Sequence, residues 1–418
     1  MTVSRSVAAC ALAVAVTATL DAQTQPVTRA SAIAAAIARG PRLAIARADS
    51  IAARAQLALA RQYENPTLNL SYTKDAPTYH VGLDIPLDVP WLRSARVDVA
   101  RADLETATLR YVFERESITH AADTSYTHAV AAAARARLSA ATARDADSLL
   151  TLARLRRDAG DASDLDVQIA LVSAGQLRNA AISDSVDAVT SLLVVQAVMG
   201  LAVESVSIGL ADTLDAVPAA AAPAAPGTGS TPLQIAAAEQ NARSAALGVT
   251  LARRRRYGVP SLTLGFDQHD PGGQGNGLLP AIGVAIPLPI LNTNRASVEI
   301  AQAARDRADA ELVLARLETN AAIAEARRDY ATAQARSDRS RQLVDAANRA
   351  ASLSLLAYRE GATAISSALE AQRTAREALA QYIDDLAAAR NAASRIRLLE
   401  QTAAGASANA TPIRRNSP

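Results

Sequence analysis

YGVPSLTLGFDQHDPGGQGNGLLPAIGVAIPLPILNTNR, residues Tyr257 to Arg295, is the stretch that decides the fold. Two alternating runs flank a glycine-rich tip, and a proline prepares each. Leu262, Leu264 and Phe266 share one face, and Thr263, Gly265 and Asp267 share the other. Past the tip, Ile282, Val284 and Ile286 alternate with Gly283 and Ala285. Period two marks strands with one apolar face. Nearly everything on either side is alanine-rich and helical in composition.

Upstream lies a second such hairpin. Leu68, Leu70 and Tyr72 alternate with Asn69, Ser71 and Thr73. Lys74-Asp75-Ala76-Pro77 reads as a turn, after which Val81, Leu83 and Ile85 alternate with His80, Gly82 and Asp84. Pro66-Thr67-Leu68 matches Pro260-Ser261-Leu262 at an offset of 194, and Gly82…Pro86-Leu87 matches Gly283…Pro287-Leu288 at 201. The difference falls in the tips. From there the offset of 201 holds through Val97/Val298, Ala107/Ala308, Gly160/Gly361 and Ala170/Ala371. A constant offset over this distance marks an internal duplication.

Each copy places one long helix between its hairpin and its glycine, roughly 94–159 and 296–360, on the order of 100 Å at 1.5 Å per residue. The first carries Val97, Leu104, Tyr111 and Ile118 at heptad spacing, with Ala100, Ala107 and Ala121 between them. The second carries one stripe through Leu312, Ala315, Thr319, Ala322 and Ala326, and another through Leu314, Leu317, Ala321 and Ala324. A helix with two seams has neighbours on both sides, as in the wall of a tube. Gly160 and Gly361 end the long helices, and helices return over about 163–200 and 363–402. A further helix is expected from Ser31 to about Gln62.

The expected domains are a secretory leader (1–22), a first repeat (23–202, hairpin 66–86), a linker (203–231), a second repeat (232–403, hairpin 260–287) and a tail (404–418). The leader rests on Arg5 followed by small apolar residues from Val7 to Leu20. Cys10, the chain's one cysteine, reads as part of that leader, because too few residues precede it for a lipoprotein box. The mature chain is then expected to lack disulfides and thiolate metal sites. No later stretch is expected to be apolar enough for a transmembrane helix. A net charge of +2 implies no nucleic-acid partner.

No constellation suggests an enzyme, a metal site or a cofactor. His120 and His128 are eight apart, not at the i,i+3 or i,i+4 spacing a metal wants. The tip 267–277 lacks the glutamate of an EF-hand and the Gly-Lys-Ser of a phosphate loop, and reads as an external loop. The strand faces carry more information. Apolar on one side and polar or tiny on the other, they suit a membrane β-barrel, in which open edges are not tolerated. Four strands cannot close, so the chain must oligomerise, and a trimer supplies twelve. Tyr63, Tyr72, Tyr79, Trp91, Tyr257 and Phe266, half of all the aromatics, lie in or beside the hairpins. Tyr63, Tyr79, Trp91 and Tyr257 are candidate interface anchors. Arg253–Arg256 read equally as a holder of lipid phosphates or as a solvated helix end.

Ala38-Arg39-Gly40-Pro41-Arg42-Leu43, Asn65-Pro66-Thr67-Leu68, Ile286-Pro287-Leu288-Pro289-Ile290-Leu291-Asn292 and Ala371-Gln372-Arg373 carry a resemblance. The chain resembles the TolC-like outer-membrane factors of Gram-negative tripartite efflux and secretion systems over its whole mature length. The resemblance implies a mainly α protein with a membrane β-barrel: a homotrimer with a twelve-stranded barrel in outer-membrane lipid and a helical periplasmic tunnel below. It implies two partners, a periplasmic adaptor and an inner-membrane pump of the resistance-nodulation-division type. Pro-Leu-Pro-Ile-Leu-Asn is most similar to the heavy-metal branch. A type I protein-secretion duct is the alternative within the family, and a periplasmic coiled-coil scaffold is the alternative outside it. The family closes its tunnel near the glycine turns, so Asp166, Tyr358 and Glu370 are gate candidates, with Gly160 and Gly361 as adaptor-contacting tips. Thr363 and Ser367 depart from the arginine and aspartate of well-known members. Asp166 also reads as a helix cap and Tyr358 as a packing ring. On the gate reading, Asp166→Ala with Tyr358→Phe raises conductance.

Overall fold

The computed structural model describes residues 25–75, 77–214, 231–269, 279–290 and 292–402. The leader, most of the linker, the second hairpin's tip from Asp270 and the tail lie outside them. In chain order the elements are β1 (Gln25–Val27), α1 (Arg29–Arg39), α2 (Pro41–Arg61), β2 (Thr67–Tyr72), β3 (Tyr79–Pro86), α3 (Pro90–Asp158) and α4 (Asp164–Val198). The second half follows with β4 (Ile208–Leu210), α5 (Leu233–Arg254), β5 (Ser261–Gln268), β6 (Leu279–Ala285), α6 (Arg295–Arg359) and α7 (Ile365–Glu400).

Both long helices are continuous, 69 and 65 residues. Their ends repeat atom for atom. The Gly160 N–H donates to the Arg157 carbonyl and Asp161 N–H to that of Arg156; Gly361 and Ala362 donate likewise to Tyr358 and Ala357. These are paired Schellman closures, and they require the positive φ of Gly160 (+85°) and Gly361 (+77°). A side chain at either glycine would strain the turn.

The two hairpins join into one antiparallel sheet, ordered β2-β3-β5-β6, so β3 and β5 form the seam between repeats. Register puts every expected apolar residue on one face. Leu70, Val81, Phe266 and Pro280 form one row, and Leu68, Leu83, Leu264 and Ile282 form the next. Gly258, at φ +62°, lets the chain enter β5 against the Pro287 ring, which a Cβ there would strike.

The heptad seam of α3 is filled. Val97 and Leu104 pack with Leu57, Ala60 and Ala100, and Ile118 and Tyr111 with Ala36 and Leu43. On α6 the two stripes part company. Thr319 and Ala326 are buried, whereas Leu314 and Leu317 are 53% and 65% exposed. One seam is therefore satisfied inside the chain, and the other is left open. Ion pairs Arg295–Glu299, Arg305–Asp309 and Arg307–Glu311 lie along α6; being exposed, they solvate the helix more than they stabilise it.

Three expectations need correction. The helix from Ser31 to Gln62 is two, because Gly40 is extended (ψ 125°) before Pro41, as the residue before a proline prefers. The linker begins later than residue 203, since β4 pairs in parallel with β1. Gln196, fully buried, organises that approach: its amide donates to the Ala202 and Ser205 carbonyls, and its oxygen accepts from Ser207 N–H. Third, α4 is long and apolar enough, by length and composition, to cross a membrane. Its hydropathy comes from alanine and valine spread around the helix. One face packs on α3, while Val172, Ile182, Val186, Val189 and Val194 remain exposed.

Candidate functional site

Three regions carry the expected functional residues: the sheet, its junction with the helices, and the helix tips. On the sheet's apolar face, Leu68, Leu70, Ile282, Val284 and Ile286 are all more than half exposed. So contiguous an uncovered apolar surface marks contact with another protein or with lipid. The other face is polar. His80 Nδ1 lies 2.7 Å from Asp267 Oδ1 and carries the proton between them, while His80 Nε2 is 3.3 Å from Thr73 Oγ1. Thr263 Oγ1 donates to Asp84 Oδ1 at 3.2 Å.

The aromatics divide between the two ends of the sheet. Tyr72 and Tyr79 are opposite residues at the tip end, their rings 5.2 Å apart. Tyr63, Trp91 and Tyr257, all exposed, sit at the helical end, with the Arg93 guanidinium 4.7 Å over the Tyr63 ring.

Sequence reasoning missed the arginines of this junction. Arg93 and Arg96 both reach Asp88, whose side chain is nearly buried, and also donate to carbonyls at the end of α2: Arg93 to Arg61, Arg96 to Ala60 and Gln62. Free helix-end carbonyls are satisfied in this way when no glycine cap is available. Arg254 donates to the Trp91 carbonyl and to Ser94 Oγ, whereas Arg253, Arg255 and Arg256 are exposed at the rim. Asn294 ties the start of α6 to α5 through the Ala252 carbonyl at 2.7 Å. The available signal was the charge spacing Asp88, Arg93, Arg96 immediately after the hairpin.

At the tips, Asp166 closes a capping box. Its carboxylate accepts from Ser163 N–H (3.0 Å) and Ser163 Oγ (2.9 Å). The second repeat has Ala364 and Ser367 at the matching positions, and Ala364 provides no side-chain cap. Tyr358 is 3% exposed, in a cluster with Leu149, Leu150, Ala153, Val167 and Ile365 that joins both repeats. Its hydroxyl makes no hydrogen bond of good geometry among the described residues. Burial pushes the phenol above its ordinary value, opposed by the nearby Arg156 guanidinium. Arg156 lies 5.0 Å over the Tyr358 ring, donates through Nη1 to the Tyr358 carbonyl at 2.6 Å, and reaches toward Gly361. One arginine of the first repeat thus clasps the turn of the second. Its counterpart, Ala357, cannot return the contact. Glu370 pairs with Arg373 at 3.2 Å and lines a groove of about 670 Å³ between α4 and α7 with Gln168, Ile169, Val172 and Arg373.

Midway along the helices is a buried polar junction. Arg29 pairs with Asp123, donates to Thr127 Oγ1 (2.8 Å) and lies over the Tyr126 ring, and Arg397 reaches Asp123 from α7. Asp123 is 8% exposed. Asp123→Ala is expected to destabilise the protein by about 1 to 3 kcal/mol, because it leaves the partly buried Arg29 guanidinium without its carboxylate partner. Thermal melting of the purified protein reads this, and Asp123→Asn should recover part of the loss. His120 and His128, eight residues apart, instead contact Ser394 (3.0 Å) and Asn391 (3.4 Å) on α7. No group of metal ligands occurs among the described residues.

Residues 231–400 match the family described as "Outer membrane efflux protein". No curated protein sequence gives a significant match. The fold is shared with solved structures. A membrane protein from Pseudomonas aeruginosa is 21% identical with a TM-score of 0.76, covering 89% of this chain and 93% of that one. The outer membrane protein VceC from Vibrio cholerae is 18% identical (TM-score 0.72; 90% and 96%). The open-state MtrE outer membrane channel of Neisseria gonorrhoeae is 17% identical (TM-score 0.70; 89% and 88%).

Proposed function

We propose that this chain, whose residues 231–400 match the outer membrane efflux protein family and whose fold is shared with VceC, is the outer-membrane channel of a tripartite efflux system. The observation that carries the reading is the four-stranded sheet. It has one wholly apolar exposed face and two unpaired edges, β2 and β6, and stands at the end of two long helical hairpins. In hydrocarbon such edges must be paired, and three copies pair them in a closed barrel of twelve strands. The open seam of α6 and the exposed face of α4 are then the surfaces through which neighbouring copies complete the tunnel wall.

Tyr72 and Tyr79 anchor the outer rim of the barrel; Tyr63, Trp91 and Tyr257 anchor the inner rim, beside Arg253, Arg255 and Arg256. The Gly160 and Gly361 turns form the periplasmic entrance, where a periplasmic adaptor docks and delivers substrate from an inner-membrane pump. The gate lies at the same turns. Arg156 and Tyr358 link the two hairpins of one chain, Asp166 holds the first turn in shape, and Glu370 lines the groove beside them. No step needs a catalytic group or a cofactor.

Fractionation tests the reading. The protein should stay with outer membranes through high salt and carbonate, need detergent for extraction, and run as a trimer that heating converts to monomer on a denaturing gel. Release by carbonate, without a heat-modifiable band, would support a peripheral coiled-coil scaffold instead.

A further inference from the structure

The polar face of the sheet carries charge of one sign. Residues 257–294 contain no lysine or arginine, and residues 63–92 contain only Lys74, in the turn between β2 and β3. Within the described strands, the ionised groups on the polar face are Asp84 and Asp267, directly opposite Thr263 and His80. Both carboxylates are held by neighbours on that face, Asp84 by Thr263 Oγ1 and Asp267 by His80 Nδ1. Neither is neutralised by a permanent cation. If the apolar face meets lipid, the polar face lines the lumen, and three copies place six carboxylates around it.

We infer that this face makes the barrel cation-selective, and that His80 lowers the selectivity on acidification. The inference rests on the channel reading above. Rings of carboxylates raise the local concentration of cations and exclude anions in a confined aqueous pore. His80 is the titratable group in contact with one of those carboxylates. Around it stand Ser71 from β2 and Thr73 just after it, Asp267 from β5, His269 just past the end of β5, Asp84 four residues along β3, and Lys74 and Asp75 in the adjoining turn. A neutral imidazole leaves the Asp267 charge standing. A protonated one, 2.7 Å from the carboxylate, cancels it, so acidification removes up to half of the lumen's negative charge.

The test is reversal potential in planar bilayers under a potassium chloride gradient, with the full chain purified as a trimer. At about pH 7.5 the wild type should favour potassium over chloride, and the ratio should fall at least about threefold by about pH 5.5. Asp84→Asn with Asp267→Asn should bring the ratio close to one at the higher pH. His80→Gln should keep the selectivity and lose its pH dependence. Glu370→Gln, at the helix tips, separates the barrel's contribution from that of the entrance. The inference is overturned if the double asparagine variant conducts with wild-type selectivity, if His80→Gln retains the pH dependence, or if Glu370→Gln alone abolishes selectivity. A trimer that inserts and never conducts would overturn the channel reading itself.

Discussion

Arg156→Ala should raise single-channel conductance severalfold in planar bilayers. The reason is local. The two helical turns of one chain pack through apolar side chains around Tyr358, but the directional contact between them is Arg156. A cation over an aromatic face is worth about 0.5 to 2 kcal/mol, and a charged hydrogen bond to a carbonyl adds about 1.5 to 3. Losing about 2 to 3 kcal/mol from a closed state shifts a two-state equilibrium by roughly 30- to 150-fold, enough to turn a mostly closed entrance into a mostly open one. Arg156→Lys should fall between, since lysine keeps the charge and loses the planar stack.

Asp166→Ala with Tyr358→Phe is the informative companion. Asp166 braces its own turn, and a capping residue is worth about 1 kcal/mol; Tyr358→Phe leaves the ring under Arg156 in place. The pair should open the channel less than Arg156→Ala does. A larger effect from the pair would move the gate from the arginine clasp to a bond made by Asp166 and the Tyr358 hydroxyl, and wild-type conductance in Arg156→Ala would remove the clasp from the gate altogether.

The second large effect is expected on the sheet. Ile282→Arg should abolish the heat-modifiable trimer and leave the protein unassembled. Ile282 is 79% exposed, midway along β6 on the apolar face, opposite Leu264. An arginine facing lipid near the bilayer midplane costs about 2 to 4 kcal/mol per chain, and a trimer incurs it three times. Ser71→Arg is the control. It lies on the polar face of β2, opposite His80, where water would solvate the charge, and it should assemble normally. Equal failure of both would mean the two faces do not differ in environment, against the barrel reading.

These predictions draw on different depths of information. The apolar face of the sheet, the glycine turns and the long helices were legible in the chain because each is a local, periodic property. Alternation in Leu262, Leu264 and Phe266 is a strand by itself, and the 201-residue offset made two hairpins out of one. Positive φ at Gly160 and Gly361 follows from the same local chemistry. The break between α1 and α2 was equally local, written in Gly40-Pro41, and was hidden by the helical composition on both sides.

The rest is long-range. Alanine-rich stripes do not say which seam a chain fills for itself, so only packing shows Thr319 and Ala326 turned inward and Leu314 and Leu317 left for a neighbour. The pairing of β3 with β5, which sets His80 beside Asp267, joins residues 187 apart. The Arg156 clasp spans 202, and the Arg29–Asp123–Arg397 junction gathers the two ends of the chain. Periodicity shows which face of an element seeks burial or solvent. Partners that far apart are chosen by how the whole layer stacks, so it took the assembled helices and sheet to turn a catalogue of arginines and acids into a clasp, a junction and a charged lining.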